Sequence, residues 1–437
     1  METVTVVGSG ASGVHFALTL LKKGRRVRML DVGLEGRPPT EPTRTLEELK
    51  RVLDDPVQWF LGDDLSGLAL PGSEGEFYGF PPQKEYVFAS PAGASRDRSL
   101  GFEPLSSFAG GGLAQAWTAG VYPFNDDELA EYPFSYDEIA PFYSEIAARI
   151  GVTGRVDDLA RFMPVHEHLV EPVELDAHSR ALLARYESIR ASLHARHRCY
   201  VGRSRVATLA APRDGRAACE YLGRCLWGCP VEALYTPALT LRECRRYDGF
   251  EYEGGVLVEA FDFDEQRRVR SVALRPAGGG ALEHRPVEIL ALAAGTLSSA
   301  RIWLESWRRR GERKRLEGLM DNPQVLVPFV SLGRIAKPYE PRAYQYHQLS
   351  LGFEGDGPRE YVHGQLTTLT TAQAHPILQS MPLDLKTAQF VFRNVRGALG
   401  LVNLNFPDYR RSGCFVEPGR EEGEGLSIRY ESPPERE

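Results

Sequence analysis

Residues 1–31, METVTVVGSGASGVHFALTLLKKGRRVRMLD, contain the pattern that decides the fold of this chain. A β-branched run from Thr3 to Val7 predicts a strand, which leads directly into the glycine-rich turn Gly8–Gly13. An apolar segment with helical periodicity follows, a second strand is predicted from Val27 to Leu30, and Asp31 closes the unit. Strand, glycine-rich turn, helix, strand and acid at these distances form the βαβ pattern of a dinucleotide-binding unit.

Each residue of this turn has a predicted role in holding a dinucleotide. Gly8 permits the tight turn, Gly10 lets backbone approach a diphosphate, and Gly13 lets the helix pack closely on the strand. Ser12 lies in the same turn and is included among the predicted cofactor-binding residues. The diphosphate is expected on the free N–H groups at the helix start, with Asp31 accepting hydrogen bonds from a ribose. FAD and NAD both fit this unit.

Composition narrows the classes of function. A chain of 437 residues is long enough for two or three domains, and its net charge of -7 gives no basic surface for nucleic acid. No apolar run reaches the length of a membrane span. Because Met1 lies two residues before the first strand, the sequence predicts no signal peptide and a cytoplasmic location, with the six cysteines reduced.

A second glycine-rich stretch, Gly110-Gly111-Gly112, stands shortly before Trp117. Three consecutive glycines beside an aromatic residue suit a backbone that lies closely on a flat or charged ligand. The alternative is a flexible loop, which the small residues on both sides make less favourable.

Later strands indicate which dinucleotide is bound. Gly255–Phe261 and Val269–Leu274 are predicted to form a hairpin, and Val287–Ala294 reads as a central strand buried on both faces. It ends at Gly295, and Thr296–Trp307 is predicted to be a helix. One βαβ unit followed by a late meander and a returning strand favours FAD, since NAD dehydrogenases show a second βαβ half soon after the first.

Three cysteines lie close together as Cys219-x5-Cys225-x3-Cys229, followed by proline. A zinc site normally has four ligands and paired C-x-x-C knuckles, which this stretch does not have. An iron–sulfur cluster and a loop of small buried thiols both remain open from the spacing.

A capping box at Ser135 and Glu138 predicts a helix start. Pro141 is predicted to end this helix and to open a second one that runs to Ile150, because proline suits a first turn.

Taken together, the chain resembles the GMC (glucose–methanol–choline) oxidoreductases, FAD-dependent enzymes that oxidise alcohols and sugars. The resemblance rests on Gly8–Gly13 with Asp31, the loop from Gly110 to Trp117, the segments Pro133–Tyr143 and Cys219–Tyr235, and the stretch Ala293–Arg301. It implies that Gly111 and Gly112 lie along the flavin, that Val258 meets the adenine and that Gly295 contacts the dinucleotide.

The resemblance also bears on how cofactors are held. Some relatives attach flavin covalently through a histidine just before the tryptophan, and Ala116 occupies that position here, so the FAD is expected to be noncovalent. Some sugar-dehydrogenase relatives hold a three-iron cluster in a cysteine loop of this form, which implies Cys219, Cys225 and Cys229 as possible ligands.

One departure from the family concerns the catalytic base. In relatives, a catalytic histidine with its partner lies in a C-terminal segment that also completes the flavin site. This chain stops at Glu437 without a matching segment, so the resemblance implies that the base is absent. His347 and His363 lie on two predicted antiparallel strands, 342–353 and 361–371. They are candidate substitute bases, although polar strand residues without a catalytic role are the competing interpretation.

The predicted fold class is α/β. It combines a glutathione-reductase-like FAD-binding βαβ domain carrying a β-meander with a substrate domain built on an antiparallel sheet with helices. The predicted boundaries are 1–34, 96–125 and 205–325 for the FAD-binding domain, 35–95 for a cap excursion, and 126–204 with 326–437 for a substrate domain incomplete at its C-terminus.

The predicted reaction is hydride transfer from the CH–OH group of a small alcohol or sugar to flavin, with a possible separate electron-acceptor partner. The alternative is a non-catalytic FAD-binding chain, or one half of a site that another polypeptide completes.

Overall fold

The computed structural model describes residues 2–36, 43–63, 65, 67, 81–101, 103–357, 360–369, 377–378, 381–420 and 424–432. The α-helices within this part of the chain are α1 (Ala11–Lys22), α2 (Leu46–Val52), α3 (Pro56–Leu61), α4 (Glu85–Phe88), α5 (Tyr136–Ile150), α6 (Ala177–His197), α7 (Pro237–Cys244), α8 (Thr296–Arg308) and α9 (Leu385–Val395).

The strands fall into four sheets. Their bounds are β1 (Thr3–Val7), β2 (Arg26–Leu30), β3 (Arg98–Leu100), β4 (Cys199–Arg203), β5 (Phe250–Glu253), β6 (Val256–Phe263), β7 (Val269–Pro276), β8 (Glu283–Pro286), β9 (Ile289–Leu292), β10 (Leu316–Glu317), β11 (Gln324–Val330), β12 (Leu349–Phe353), β13 (Val362–Thr368), β14 (Leu399–Asn405), β15 (Phe415–Pro418) and β16 (Leu426–Arg429).

The first sheet is parallel, in the order β5-β2-β1-β9, and it confirms the predicted βαβ unit. Val6 of β1 pairs with Met29 of β2 and is fully buried. Helix α1 packs its apolar face, including Val14 and Leu18, against these strands. The β-branched strand and the apolar helix stripe therefore form one core, as their periodicities require.

Strand β9 differs from its prediction as a central strand. It lies at the end of the parallel sheet among the described residues, and Ile289 is 41% exposed. One face packs on the meander, since Leu290 and Leu292 contact the cluster of Val258 and Val272. An apolar run reports the burial of side-chain faces, whereas the number of neighbouring strands depends on topology.

The predicted hairpin is confirmed as the antiparallel pair β6 and β7. Strand β8, with sequence Glu-His-Arg-Pro, adds a third strand to this meander and was not predicted because it has no apolar alternation. Helix α8 closes one side of the meander through Ile302, which is 4% exposed.

A small sheet in the order β10-β15-β16-β3 packs against α8 through Leu297, Leu304, Val416 and Ile428. The predicted domain boundary near residue 326 assigns β3 and β10 to one domain and β15 and β16 to the other. The structure joins all of them in one sheet. Strands of two to four residues are too short to show a periodicity that would reveal this pairing.

The largest sheet is antiparallel, in the order β11-β14-β13-β12-β4. It contains the two strands predicted around His347 and His363, although the first begins only at Leu349. One face of this sheet packs on α6 through Leu349, Leu351 and Leu366.

The prediction that Pro141 separates two helices is wrong, because α5 runs unbroken through it. The capping box holds the helix start, with Glu138 Oε2 accepting from the Ser135 N–H at 2.8 Å. In the second turn Pro141 removes only the single hydrogen bond to the Asp137 carbonyl, which the packed helix tolerates.

No helix in the described ranges combines the length and the apolar character needed to cross a bilayer.

Candidate functional site

A cleft of about 1000 Å³ opens at the carboxyl ends of the parallel strands. This is the edge at which open α/β sheets bind their ligands, and the volume suits a ligand at the large end of the usual range. Every predicted cofactor-binding residue except Gly13 lines it: Gly8, Gly10, Ser12, Asp31, Gly111, Gly112, Val258 and Gly295.

Gly8 and Gly13 bring the backbone of the first turn into close contact. Gly8 has φ of +100°, and a Cβ there would lie 2.6 Å from the Ala293 carbonyl oxygen. A Cβ on Gly13 would lie 2.0 Å from the Gly8 carbonyl oxygen. Gly13 therefore stands behind the cleft wall and serves the packing of α1 on the turn.

Two helices begin at the cleft without a side-chain cap. Gly10 is the N-cap of α1 and Gly295 is the N-cap of α8, and neither helix start receives a hydrogen bond from a capping side chain. A Cβ at either glycine would meet nothing within 4 Å. The first N–H groups of both helices are therefore available to an anion, which the helix dipoles also favour.

Asp31 is held at the cleft wall by two hydroxyl groups. Ser9 donates a hydrogen bond to Asp31 Oδ2, and the Tyr252 hydroxyl donates to the same oxygen at 3.2 Å. Burial raises the pKa of Asp31 to about 6. Ser9 Oγ also accepts from the Gly111 N–H at 2.9 Å, so one hydroxyl connects the acid to the second glycine loop.

The second glycine loop lies on the first one. Gly111 and Gly112 have φ of +95° and +63°, a backbone conformation that glycine adopts readily. A Cβ on Gly112 would lie 3.3 Å from the Gly10 Cα atom. The two loops thus form a continuous surface of backbone with little side-chain bulk.

Charged residues that the sequence did not indicate line the cleft beyond Val258. Glu259 pairs with Arg275 at 2.5 Å and with Arg309 at 3.0 Å, and Arg301 pairs with Asp97 at 2.7 Å. Because each arginine has a carboxylate partner, this part of the wall is close to electrically balanced. Neither these pairs nor Tyr252 carried a sequence signal, whereas Ser9 stands between two motif glycines and could have been found.

His347 and His363 do not line the cleft and lie instead around Tyr122. The ring centroids of Tyr122 and His363 are 4.1 Å apart, and those of Tyr122 and His347 are 6.1 Å apart. Burial lowers the pKa of His347 to about 3 and that of His363 to about 4, so both imidazoles are neutral at pH 7. The Nε2 atom of each is buried without a hydrogen-bond partner.

The three cysteines are close together, and all pack against the apolar cluster that contains Val206 and Tyr344. Burial, reinforced by the neighbouring thiols, raises the pKa of Cys225 well above its usual value, whereas metals bind the thiolate. The described residues contain no group of three or more metal-ligating side chains that could hold an ion, and all six cysteines are free thiols. The metal-site hypothesis therefore gains no support from the structure.

Comparison with known proteins places the fold. No family model matches the sequence, and no curated protein matches it. Among solved structures, a pyridoxine 4-oxidase from Mesorbium loti matches with a TM-score of 0.52 and 15% identity, over 98% of this chain and 75% of that chain. A fungal aryl-alcohol oxidase matches with a TM-score of 0.47 and 11% identity, over 98% of this chain and 78% of that chain.

Both of these structures are GMC oxidoreductases. At this level of identity the likeness concerns the fold alone. The chain therefore has a mixed α/β fold similar to that of the pyridoxine 4-oxidase.

Proposed function

We propose that this chain binds FAD noncovalently in the cleft and oxidises the CH–OH group of a small alcohol or sugar. The observation that carries this proposal is the pair of uncapped helix starts at Gly10 and Gly295, which open onto one cleft beside Asp31. A dinucleotide diphosphate is the ligand that such a pair would favour, with a ribose hydroxyl donating to the acid. The similarity to an oxidase fold supports FAD over NAD.

The residues of the chain would divide the work as follows. Gly10, Gly112 and Gly295 would place backbone against the cofactor, and Ser9 would keep the Asp31 carboxylate turned toward the ribose. When bound, FAD accepts a hydride from the substrate carbon. The protein would supply position, exclude water and provide an acceptor for the hydroxyl proton.

A non-catalytic FAD-binding role is the second candidate, and the histidines favour it. An effective general base has a pKa near the operating pH, whereas burial lowers the pKa of His347 and His363 to about 3 and about 4. Both lie outside the cleft lining. They are consequently weak candidates for the base.

An anaerobic stopped-flow experiment separates the two candidates. The FAD-loaded chain is mixed with a panel of alcohols and sugars while flavin absorbance is followed, and photoreduction of the same sample serves as the control for a competent flavin. Bleaching by at least one alcohol or sugar is expected.

A flavin that photoreduces and yet is not bleached by any panel member, even after addition of a candidate partner polypeptide, would favour the non-catalytic role. Loss of bleaching in His347→Ala or His363→Ala, with FAD still bound, would identify the base despite its lowered pKa. A chain that binds no FAD would contradict both candidates.

A further inference from the structure

The antiparallel sheet has one apolar face and one polar face. Leu349, Leu351 and Leu366 pack on α6 and define the apolar face. Because side chains alternate along a strand, their strand neighbours project to the other side. We call that other side the polar face.

Strand register arranges the polar face in two rows across four strands. The rows are Ser350, Gln365, Asn403 and Leu326, and next to them Gly352, His363, Asn405 and Gln324. Directly opposite residues in antiparallel strands have Cβ atoms about 4.5–5.5 Å apart. Four carboxamides are thus neighbours on a single surface, although they come from three strands.

Hydrogen bonds between the carboxamides hold them in place. Asn403 Nδ2 donates to Gln324 Oε1 at 3.1 Å, and Asn405 Nδ2 donates to the His363 carbonyl at 3.3 Å. Asn322 Nδ2 donates to Asn405 Oδ1 at 3.0 Å. The amide orientations are therefore set before any ligand arrives.

Two atoms of the polar face remain without a partner. Asn403 Oδ1 and His363 Nε2 are buried and accept or donate no hydrogen bond within the described structure. The same is true of Nε2 of His347, a residue only 1% exposed that lies against Tyr122. Buried polar atoms in proteins almost always have partners, so three such atoms around one surface indicate a ligand that supplies them.

The polar face is also uncharged. None of its row residues is ionised at pH 7, because burial keeps the His363 imidazole neutral with a pKa of about 4. Tyr122 covers one end, with its hydroxyl 3.2 Å from Ser350 Oγ and its ring against His363. A complementary ligand is neutral and offers both donors and acceptors.

We propose, on the basis of the function proposed above, that the polar face binds the substrate and that this substrate is a neutral polyhydroxylated compound, a sugar or polyol. A hydroxyl group donates and accepts, as a carboxamide does, so several hydroxyls can pair with Gln365, Asn403 and Asn405 at once. An aryl alcohol has one hydroxyl and would leave most of these amides desolvated without partners. Ala114 lines the cleft and Tyr122 follows eight residues later, which limits their separation to roughly 28 Å.

The test measures ligand binding to the FAD-loaded chain by saturation-transfer-difference NMR. The probes are a set of neutral monosaccharides and polyols, with benzyl alcohol as the aryl comparison. The variants are Asn403→Leu and Gln365→Met, and the matched control is Gln266→Met, an exposed carboxamide in the turn between β6 and β7. If Asn403→Leu does not fold, the smaller polar change Asn403→Ser takes its place.

At least one polyol or sugar is expected to bind, with Kd raised about 10-fold in each polar-face variant and unchanged in Gln266→Met. FAD content should be equal in all of them. Saturable binding of benzyl alcohol alone, no binding by any sugar or polyol, or polyol affinity that the variants leave within twofold would each overturn the proposal.

Flavin bleaching recorded in parallel separates this inference from the proposed function. Polyol binding that the variants weaken, without any flavin reduction, supports the binding site and contradicts the oxidation. Flavin reduction by benzyl alcohol but by no polyol supports the oxidation and contradicts the binding site.

Discussion

The dinucleotide cleft and the polar face offer ligands different kinds of atoms. The cleft presents backbone, since Gly8, Gly10 and Gly295 remove side chains where two helices begin. The polar face presents side chains, above all Gln365 and Asn403, on strands joined by register. A surface of backbone N–H groups suits one kind of anion, whereas a surface of carboxamides can be changed residue by residue. The first suits a fixed cofactor and the second a variable substrate.

Burial affects the titratable groups of the two regions in opposite directions. In the cleft, burial raises the pKa of Asp31 to about 6. Beside the polar face, it lowers the pKa of His347 to about 3. In both cases the neutral form is favoured, yet the two groups give stability the opposite dependence on pH.

The largest expected effect is the loss of FAD binding in Gly10→Val. The backbone at Gly10 has φ of −63°, which valine can adopt, and its Cβ direction is open, so the side chain would enter the cleft without disturbing the fold. Quenching of flavin fluorescence during titration of the deflavinated chain measures the affinity. Gly278→Val, at an open glycine in the turn after β7, should bind as the wild type does. Wild-type affinity in Gly10→Val would contradict the placement of the cofactor.

His347→Leu should make the fold less sensitive to acid. The pKa of His347 is about 3 in the folded chain against 6.5 ordinarily, so its contribution is fully present above pH 6.5 and is lost as pH falls toward 3. The loss amounts to about 5 kcal/mol in total, of which roughly 3 kcal/mol occurs above pH 4.5.

Urea unfolding at pH 7 and pH 4.5 measures this effect. His347→Leu should lose less free energy of unfolding between these two pH values than the wild type does. His197→Leu, an exposed position at the end of α6, should follow the wild type. An equal loss in His347→Leu and wild type would show that this imidazole is not buried as a neutral group.

Asp31→Asn should have the opposite sign. The pKa of Asp31 is about 6 in the folded chain against 3.8 ordinarily, so the carboxylate lowers stability progressively as pH rises from about 3.8 to 6. The deflavinated Asn variant should therefore gain up to about 3 kcal/mol relative to wild type between pH 4 and pH 7. FAD affinity should fall about 10-fold because a charged acceptor is lost.

Asp214→Asn is the control for this effect, since that side chain is 78% exposed. Urea unfolding of both deflavinated variants measures the difference. A pH dependence in Asp31→Asn equal to that of wild type would contradict the buried position of the acid.

The smallest expected effect concerns Cys225. As a thiol that packs against the apolar cluster, it should be replaced by alanine at less cost than by serine, with a difference of about 1 kcal/mol in the free energy of unfolding. Anaerobically purified wild type should contain no stoichiometric iron or acid-labile sulfide. Iron and sulfide in the wild type that both variants lose equally would restore the iron–sulfur hypothesis.

The cleft could be predicted from sequence because its parts are local. Gly8, Gly10 and Asp31 belong to one contiguous motif, and Gly295 follows an apolar strand directly. A glycine that must have positive φ or permit close approach leaves a mark at its own position. The edge position of β9 and the unbroken α5 were missed because sheet neighbours and helix packing are set by distant parts of the chain.

The polar face could not be predicted in this way. His347 and His363 were selected by residue type, and the structure places them around Tyr122 instead of in the cleft lining. Gln365 and Asn403 gave no signal, because ordinary polar residues on strands become a site only when register sets them opposite each other.

The most direct test of the account is the flavin content of the purified chain. Acid precipitation followed by chromatography of the supernatant should release about one FAD per chain, with none left in the pellet, because the cleft holds the dinucleotide through backbone and Asp31. Flavin retained in the pellet would contradict noncovalent binding. A chain that neither contains nor takes up FAD, or that binds only NAD, would contradict the assignment of the cleft.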